Sequence, residues 1–319
     1  MPRRALLTGL TGQDGWYLTD HLLSSGYDVF GLVRPGDVAP APPGATVVEG
    51  DLVDGSTLRE ALKAAEPHEV YNLAGISSVA MSWTEPVVTA EVNGLGALRL
   101  IEAVRDHCQA SGEQVRIVQA SSAEIFGHAA APQDESTPIA PITPYGATKA
   151  FAHHLVSVYR SAGVSVSSAI LFNHESARRP PTFVTRRITQ FAARVAGGAT
   201  DRLRLGNLDA RRDWGWAGDY ARAMHLIAQH PEPDDFVIAT GISRSVGDFV
   251  AAAFAHVGVT EWREHVEIDP ALVRPSDPGE QRGNAAKAHT VLGWRPSVTF
   301  AEMVGEMVDA DLGGRPIDR

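Results

Sequence analysis

Short runs of apolar and β-branched residues alternate with amphipathic stretches through the first half of this chain. Such runs, bounded by glycine and polar residues, are typical of buried strands. They predict strands at Arg4–Thr8, Asp28–Val33, Thr46–Glu49, 69–74, 115–120 and 164–171. Helices are predicted at 16–25, where Gly26 would end the helix, at roughly 88–106, and around Tyr145. This alternation indicates a parallel sheet covered by helices.

After Asn173 the pattern loosens into loops, shorter helices and an arginine-rich segment, and a strand-like run at 236–239 suggests a return to the sheet. We therefore predict an α/β fold: a Rossmann-type, doubly wound parallel sheet with a smaller C-terminal substrate-binding lobe. The predicted division assigns 1–173 to a dinucleotide-binding domain, with strands returning around 208–243, and 174–319 predominantly to the substrate lobe.

The composition is that of an ordinary globular protein, with 44% hydrophobic and 21% charged residues in 319. Cys108 is the only cysteine, so no intrachain disulfide can form, and a reducing compartment fits. The first residues lead directly into a predicted strand, and no apolar stretch is long enough to span a membrane. We expect no signal peptide, no membrane association and a cytoplasmic location.

The formal net charge of −10 argues against a general nucleic-acid binder. The charge is uneven, however, because residues 178–212 hold nine arginines and no lysine against two aspartates, which gives this segment +7. A cationic strip suggests a local anionic ligand such as a pyrophosphate, although a solvated arginine face has the same composition. No pattern suggests a metal site.

Gly9, Gly12 and Gly15 follow the first predicted strand and open the first predicted helix. Gly9 would allow a tight turn, Gly12 the close approach of backbone to a pyrophosphate, and Gly15 close packing of helix on strand. The helix N-terminus would offer unpaired N–H groups to the phosphates. The spacing G-x-x-G-x-x-G is typical of short-chain dehydrogenase/reductases.

Arg34 follows the second predicted strand, where an NAD enzyme more often has an acidic residue for the ribose 2′-hydroxyl. An arginine there favours a 2′-phosphate, so NADP is predicted in preference to NAD. Asp51 and Leu52 at the end of the third strand, and residues 72–75 at the end of the fourth, fit contacts with adenine and its ribose.

Tyr145 and Lys149 lie four residues apart and so share one face of a helix. We expect the ammonium to lower the pKa of the phenol, which can then take a proton from a substrate hydroxyl as hydride leaves the same carbon. Y-x-x-x-K also arises by chance, but the chain has only three lysines, which favours a functional reason for this one. Ser122 and Glu124 follow the predicted strand 115–120, and Glu124 adds a second acid/base that simple alcohol oxidation does not need. Oxidation plus a further proton transfer is the chemistry of a sugar-nucleotide dehydratase or epimerase.

Longer motifs run through most of the chain. They are TGLTGQDG at 8–15, NHES at 173–176, FVTRRI at 183–188, GNLDARRDWG at 206–215 and DFVIATG at 235–241. With these motifs the sequence resembles the extended short-chain dehydrogenase/reductases, and within them the GDP-mannose 4,6-dehydratase family.

The resemblance implies roles for single residues. Ser122 would orient the C4 hydroxyl and Glu124 would be the general base. Tyr145 would be the acid/base at C4, and Lys149 would bind the nicotinamide ribose. Further cofactor contacts would come from Thr11, Gln13, Asp14, Leu73, Ala74, Gly75, Ser77, His174 and Arg179. Contacts with the GDP-sugar would come from Ser78, Asn173, Val184, Arg187, Gly206, Arg212 and Arg274, the last two as clamps on the pyrophosphate.

The implied reaction converts GDP-mannose to GDP-4-keto-6-deoxymannose with tightly bound NADP. Tyr145 would deprotonate the C4 hydroxyl as hydride passes to NADP+. Glu124 would then remove the C5 proton and help to expel the C6 hydroxyl as water, after which hydride returns to C6 while C5 is reprotonated. The cycle is redox-neutral, so NADP would be needed only catalytically.

Three departures from the family pattern stand out. Ser122 replaces a threonine, which keeps the hydroxyl, and Ala123 and Phe126 replace a serine and a tyrosine beside Glu124. The segment after Arg34 is short and proline-rich, whereas the family has a longer, arginine-bearing loop that reaches a neighbouring subunit and helps to build a tetramer. We therefore predict a homodimer, with a tetramer as the alternative.

Other functions remain open at this point. A GDP-4-keto-6-deoxymannose reductase or a GDP-sugar C4-epimerase would not need Glu124 as a base at C5, whereas a dehydratase of another GDP-sugar would. An NADP-sensing regulator would not need Ser122, Tyr145 and Lys149 together. RNA binding through the arginine strip is the remaining alternative.

Overall fold

A computed structural model describes residues 2–273 and 276–314 of the chain. Its strands are β1 (Arg4–Thr8), β2 (Asp28–Val33), β3 (Thr46–Glu49), β4 (Glu69–Asn72), β5 (Arg116–Ser122), β6 (Val166–Leu171), β7 (Asn173–Glu175), β8 (Leu203–Leu205), β9 (Arg211–Trp216), β10 (Asp235–Ile238), β11 (Ser243–Ser245), β12 (Val266–Ile268) and β13 (Glu280–Gln281). Its helices are α1 (Gln13–Ser24), α2 (Gly55–Ala65), α3 (Val79–Thr84), α4 (Pro86–Ala90), α5 (Gly96–Ser111), α6 (Pro144–Ser161), α7 (Val184–Ala196), α8 (Ala217–Gln229), α9 (Val246–His256), α10 (Ala286–Val291) and α11 (Phe300–Asp311). A π-helical turn at Glu91–Leu95 joins α4 to α5, and a 3₁₀ turn at Ala123–Phe126 follows β5.

Seven strands form one parallel sheet in the order β10-β6-β5-β4-β1-β2-β3. The chain builds outward from β1 to β3 on one side and from β4 to β10 on the other, so the strand order reverses between β1 and β4. At such a reversal the carboxyl ends of the strands leave a crevice in which open α/β sheets bind ligands. The α/β, Rossmann-type doubly wound sheet predicted from the sequence is confirmed.

Two smaller sheets are built from strands that follow β6 in the sequence. Strand β9 pairs with β11, β13 and β7, and β8 pairs with β12. Strand β7 begins two residues after β6 ends, so the chain passes at Phe172 from the large sheet into the second one. The assignment of 1–173 and 174–319 to two functional lobes stays a prediction, since the large sheet also takes β10 from the second range.

Several element boundaries differ from the sequence prediction for local reasons. Strand β4 ends at Asn72 rather than at residue 74, because the N–H groups of Leu73 and Ala74 both donate to Thr8 Oγ1, at 3.1 Å, instead of continuing the ladder. Helix α1 begins at Gln13 rather than at residue 16. Its first turn contains Gly15, the last glycine of the motif, and has no apolar periodicity from which a helix could be predicted.

The two sides of the molecule that meet at the crevice have separate apolar cores. One core lies against the large sheet and includes Leu7, Tyr71 and Phe236. The other lies between α7, α9 and α11 and includes Phe249 and Met307. Among residues 2–273 and 276–314, no helix is both long and apolar enough to cross a bilayer.

Candidate active site

A cavity of about 330 Å³ opens at the carboxyl ends of β4, β5 and β6, where the strand order places the crevice. Small-molecule sites commonly have this size. Sixteen of the residues predicted from the sequence line it: Asp14, Leu73, Gly75, Ser77, Ser78, Ser122, Glu124, Tyr145, Lys149, Asn173, His174, Arg179, Val184, Arg187, Gly206 and Arg212. One cavity is therefore lined by residues that are far apart in the sequence. They come from all three predicted groups: catalytic, cofactor-binding and substrate-binding.

The other predicted residues do not line this cavity. They are Gly9, Thr11, Gly12, Gln13, Gly15, Arg34, Asp51, Leu52 and Ala74, on the glycine turn and after β2, β3 and β4. The Leu52 side chain is buried against Gly96 of α5, so it belongs to the core. Arg274 lies outside the described residues.

The glycine turn has the shape that a dinucleotide pyrophosphate requires. Gly9 has φ of +72°, and a Cβ there would lie 2.8 Å from the Ala74 nitrogen. A Cβ on Gly15 would lie 2.4 Å from the carbonyl oxygens of Gly9 and Leu10, so only glycine lets α1 begin so close to the turn. The first-turn N–H groups of α1 lack helical partners and face the turn. The residues present therefore fit a bound dinucleotide.

Asp14 and His174 join the glycine turn to β7. His174 Nε2 lies 3.0 Å from Asp14 Oδ1, and the other ring nitrogen lies 2.8 Å from the Phe172 carbonyl oxygen. Burial raises the Asp14 pKa, but the charge and hydrogen bond of His174, with the charge of Arg179, outweigh burial and lower it to about 2. Burial lowers the His174 pKa, but the charge and hydrogen bond of Asp14 outweigh burial and raise it. The two groups therefore form an ion pair at mildly acidic pH, where both are charged.

This ion pair predicts a pH-dependent stability. The Asp14 contribution is present above the ordinary pKa of 3.8 and is lost as the pH falls through about 2. The His174 contribution is present below the ordinary pKa of 6.5 and is lost as the pH rises through the raised folded-state value. We expect His174→Gln to lower the melting temperature more at pH ~5.5 than at pH ~8.5, by roughly 2 °C. Thermal denaturation at both pH values checks this, with His107→Gln on α5 as the control; an equal loss at both would contradict it.

Glu124 lies on the 3₁₀ turn that follows β5, and it is 9% exposed. Ser122 caps this turn, because its Oγ accepts a hydrogen bond from the Glu124 N–H at 3.2 Å. A Cβ on Gly146 would lie 2.6 Å from the Glu124 carbonyl oxygen, so glycine at this position lets the first turn of α6 pack directly on the turn that carries Glu124. The close packing brings the second acid/base beside the tyrosine.

Helix α6 holds Tyr145 and Lys149 in the cavity wall. Thr143 Oγ1 accepts from the Gly146 N–H at 2.9 Å and caps the helix, and Pro144 occupies the first turn. The Tyr145 N–H donates to Ser82 Oγ at 3.1 Å, and Lys149 Nζ donates to the Ala120 carbonyl oxygen at 2.9 Å. The first contact joins the start of α6 to α3, and the second holds the Lys149 side chain at the end of β5.

The sequence prediction that Lys149 lowers the Tyr145 pKa is wrong for this structure. Burial raises the pKa of the phenol, and although a hydrogen bond with Ser122 lowers it, the charge of Glu124 raises it further, so that it reaches about 12. The Lys149 ammonium is bonded to Ala120 and lies 6.0 Å from the centre of the tyrosine ring. Burial also lowers the pKa of Lys149 to about 8. Removal from water outweighs a charge one helical turn away.

The arginine-rich segment is divided between the cavity and the surface. Arg179, Arg187 and Arg212 line the cavity. Arg212 donates to the Pro278 carbonyl oxygen at 3.0 Å and forms an ion pair with Asp277. Outside the cavity, Arg194 pairs with Asp201 at 2.6 Å. Some arginines of this segment therefore place positive charge in the cavity wall, and others form ion pairs at the surface.

Sequence reasoning missed several residues of this site. Asn93, in the π-helical turn, accepts from the Ile76 N–H at 2.8 Å and donates to the Ile76 carbonyl oxygen at 3.0 Å, which fixes the loop after β4. Ser121, Asp277 and Gln281 also line the cavity. The position of Ser121 beside Ser122 could have indicated it, but nothing in the sequence pairs Gln281 with β5. Within the described ranges, no three His, Cys, Asp or Glu side chains cluster as metal ligands.

Comparisons with known proteins agree with this geometry. The sequence profile of the GDP-mannose 4,6 dehydratase family matches residues 6–307. GDP-mannose 4,6 dehydratases 1 and 2 of Arabidopsis thaliana are 46% and 45% identical over 98% of this chain, which spans 90% and 87% of their lengths. The UDP-glucose 4-epimerase of Thermus thermophilus, solved with NAD, is 30% identical and superposes with a TM-score of 0.83 over 98% of this chain and 100% of the epimerase.

The match extends from the glycine turn through the cavity to the last helix, at identities well above those that unrelated Rossmann proteins share. With the tyrosine, lysine and glutamate assembled in one cavity, it makes this chain a member of the GDP-mannose 4,6-dehydratase family.

Proposed function

We propose that this protein converts GDP-mannose to GDP-4-keto-6-deoxymannose. The observation that carries the proposal is the presence, in one cavity, of the Ser122, Tyr145 and Lys149 group together with Glu124. Oxidation at C4 uses the first three residues. Only an elimination also needs a base at C5, so Glu124 favours a dehydratase over a C4-epimerase or a reductase. The two Arabidopsis relatives are named for this activity, and the match to this chain covers 90% and 87% of their lengths.

We infer that a nicotinamide dinucleotide binds at the glycine turn, with its pyrophosphate at the N-terminus of α1 and its nicotinamide ribose beside Lys149. The epimerase that was solved with NAD supports this class of cofactor. When bound, it accepts a hydride from C4 of the sugar and returns one at C6. The buried Asp14–His174 pair and Arg179 hold the part of the cavity between the turn and β7.

The protein's own residues account for the proton transfers. The Ser122 hydroxyl orients the C4 hydroxyl, and Tyr145 takes its proton. Once C4 is a ketone, the C5 hydrogen becomes acidic, and Glu124 removes it. Glu124 then gives this proton to the C6 hydroxyl, the C6–O bond breaks, and water leaves as a C5–C6 double bond forms. Hydride addition at C6 requires that C5 takes up a proton, and the proton that Tyr145 removed from the C4 hydroxyl balances it, so the product keeps its C4 ketone.

The substrate's anionic part faces the cationic wall. Arg187 and Arg212 line the cavity beside Asn173, Val184 and Gly206. Guanidinium groups bind phosphate oxygens through charge-assisted hydrogen bonds. We assign this wall to the GDP moiety, which places the hexose toward Glu124 and Tyr145.

Mass spectrometry of purified protein incubated with GDP-mannose and a trace of NADP+ tests the reaction. We expect the sugar nucleotide to lose one water with no net formation of NADPH. An unchanged mass would contradict GDP-mannose as substrate, and the same assay on other GDP-hexoses would then test for a dehydratase of a different sugar.

We propose NADP as the preferred form of the cofactor. Arg34 is exposed and follows β2 directly, where the ribose of a bound dinucleotide would lie. A charge-assisted hydrogen bond to the 2′-phosphate predicts that Arg34→Ala weakens NADP+ binding about 10- to 100-fold. Titration calorimetry with NADP+ and NAD+ checks this, and NAD+ serves as the control because it lacks the phosphate. A similar loss for both cofactors would refute the assignment.

We propose that the protein is a homodimer. Large apolar side chains are exposed on neighbouring helices α3, α4 and α6, among them Trp83 (47%), Val87 (79%), Phe151 (43%) and Val158 (63%). Exposed apolar surface of this kind is typical of subunit interfaces. Light scattering should show a dimer, and Phe151→Glu should shift it toward monomer, whereas Val38→Glu, at a site 96% exposed elsewhere, should not. A wild-type tetramer would contradict the proposal.

We also propose a cytoplasmic location. Cys108 is a free thiol in the structure, which suits a reducing compartment. Cell fractionation with immunodetection would decide the location.

A further inference from the structure

Gln281 reaches the cavity from a different part of the chain than the predicted catalytic residues. It lies on β13, opposite Arg212 of β9, and it is 1% exposed. Its Nε2 donates to the Ala123 carbonyl oxygen at 3.3 Å. Its Oε1 is buried and accepts no hydrogen bond from the residues in 2–273 and 276–314. The amide nitrogen thus has a hydrogen-bond partner among the described residues, and the amide oxygen does not.

The hydrogen bond from Gln281 Nε2 ends beside Glu124, the proposed base. Ala123 precedes Glu124 in the 3₁₀ turn, and both line the cavity with Gln281. Gln281 therefore adds a polar group to the part of the cavity wall that carries Glu124.

Gln281 Oε1 is a buried acceptor, and a bound ligand could supply its hydrogen-bond donor. Buried acceptors are nearly always paired, and an unpaired one is unfavourable. Phosphate oxygens cannot donate, so the phosphates of the substrate are excluded. Tyr145 and Ser122 occupy the C4 side of the hexose, and C5 carries no hydroxyl. The donor available on the Glu124 side is the C6 hydroxyl.

We propose that Gln281 Oε1 accepts a hydrogen bond from the C6 hydroxyl of the substrate and so positions the leaving group. This inference rests on the proposed dehydratase function. During elimination the C6 oxygen must turn a lone pair toward the proton that Glu124 delivers. Its own hydrogen then needs an acceptor other than Glu124, and Gln281 supplies it. The C5 proton passes to Glu124 and then to O6, the C6–O bond breaks, and water leaves with both hydrogens.

The side chain has the freedom that this role requires. Its hydrogen bond to Ala123, at 3.3 Å, is at the long end for N–H···O bonds. The terminal torsion of glutamine is broad, so a small rotation turns Oε1 toward the cavity while Nε2 stays near the carbonyl. Gln281 is a positioning residue, because it moves no proton itself.

Binding measurements with two sugar nucleotides test the contact. The variant is Gln281→Met, which keeps the length and removes the amide. We expect it to weaken binding of GDP-mannose about 2- to 10-fold, the value of one neutral hydrogen bond, and to leave binding of GDP-6-deoxymannose, which lacks the C6 hydroxyl, unchanged. Equal losses for both ligands, or no loss for either, would overturn the proposal.

Gln133→Met is the matched control. Gln133 is another buried glutamine near β13, and it donates to the Glu280 carbonyl oxygen at 3.3 Å, but it does not line the cavity. Because both oxygen and nitrogen of its amide are bonded, we expect this variant to lose thermal stability without distinguishing the two ligands. Gln281→Met removes one long hydrogen bond, to Ala123, together with a buried acceptor that had no partner, so we expect it to lose less thermal stability than Gln133→Met, which removes three hydrogen bonds. If Gln281→Met fails to fold, Gln281→Leu takes its place in the same comparison.

Isotope exchange in D2O separates this role from the base. In Gln281→Met, removal of the C5 proton should continue while loss of water slows, so unreacted GDP-mannose should accumulate deuterium at C5 relative to wild type. An unchanged ratio of exchange to dehydration would count against Gln281 as a leaving-group residue. Wild-type protein that neither exchanges C5 nor loses water would refute the proposed function instead, and the binding comparison would still decide the contact.

Discussion

Glu124→Gln should slow the loss of water from GDP-mannose by about 10²- to 10⁴-fold, the usual contribution of a general acid/base, while GDP-mannose still binds. The amide keeps the size and the backbone hydrogen bond of Glu124 to Ser122, but it cannot take the C5 proton. Oxidation at C4 does not need this carboxylate. The variant should therefore form reduced cofactor, visible by its absorbance, without releasing dehydrated product.

Glu135→Gln is the control for this substitution. Glu135 is also partly buried, and its Oε1 accepts from the Val237 N–H at 2.7 Å, but it does not line the cavity. The Glu135→Gln variant should dehydrate GDP-mannose at close to the wild-type rate. Near-normal turnover in Glu124→Gln would mean that another group removes the C5 proton.

Tyr145→Phe should stop the reaction one step earlier. Without the phenol, the C4 hydroxyl has no proton acceptor, so we expect a loss of about 10²- to 10⁴-fold with neither reduced cofactor nor deuterium at C5. The wild-type rate should also rise with pH, because the base form of Tyr145 is the phenolate and burial raises its pKa to about 12. The residual activity of the variant should lack this rise.

Tyr159→Phe provides the matched control on the same helix. Tyr159 lies on α6, donates to Glu102, and does not line the cavity. The assay follows initial rates across pH for both variants. Equal losses in the two, or an unchanged pH profile in Tyr145→Phe, would show that the phenol is not the acid/base at C4.

The glycine turn and helix α6 show what local sequence can predict. A tight turn with φ of +72° at Gly9 needs glycine, and its place between a strand and a helix is readable from neighbouring residues. The spacing of Tyr145 and Lys149 sets both on one helix face for the same local reason. Local sequence does not fix the end of β4, because Thr8 Oγ1, on another strand, accepts hydrogen bonds from the N–H groups of Leu73 and Ala74.

The electrostatics of the site required the folded chain. The sequence shows that an ammonium stands one turn from Tyr145, but it does not show how much water either group loses. Burial of both side chains, and the hydrogen bond of Lys149 to Ala120, reverse the pKa shift expected from spacing alone. Desolvation depends on every element that covers a group, so a local pattern cannot predict it.

The sequence by itself determined the doubly wound sheet, the glycine turn and the identity of the residues expected to do the chemistry, because each of these follows from patterns within one or two elements. Only the tertiary structure decided which of these residues share the cavity and that Gln281 joins them, across 158 positions, at the carbonyl of Ala123. The pairing of β13 with β9 and the packing of α6 on the turn of Glu124 bring them together, and such contacts between distant segments have no signature in the sequence of either partner.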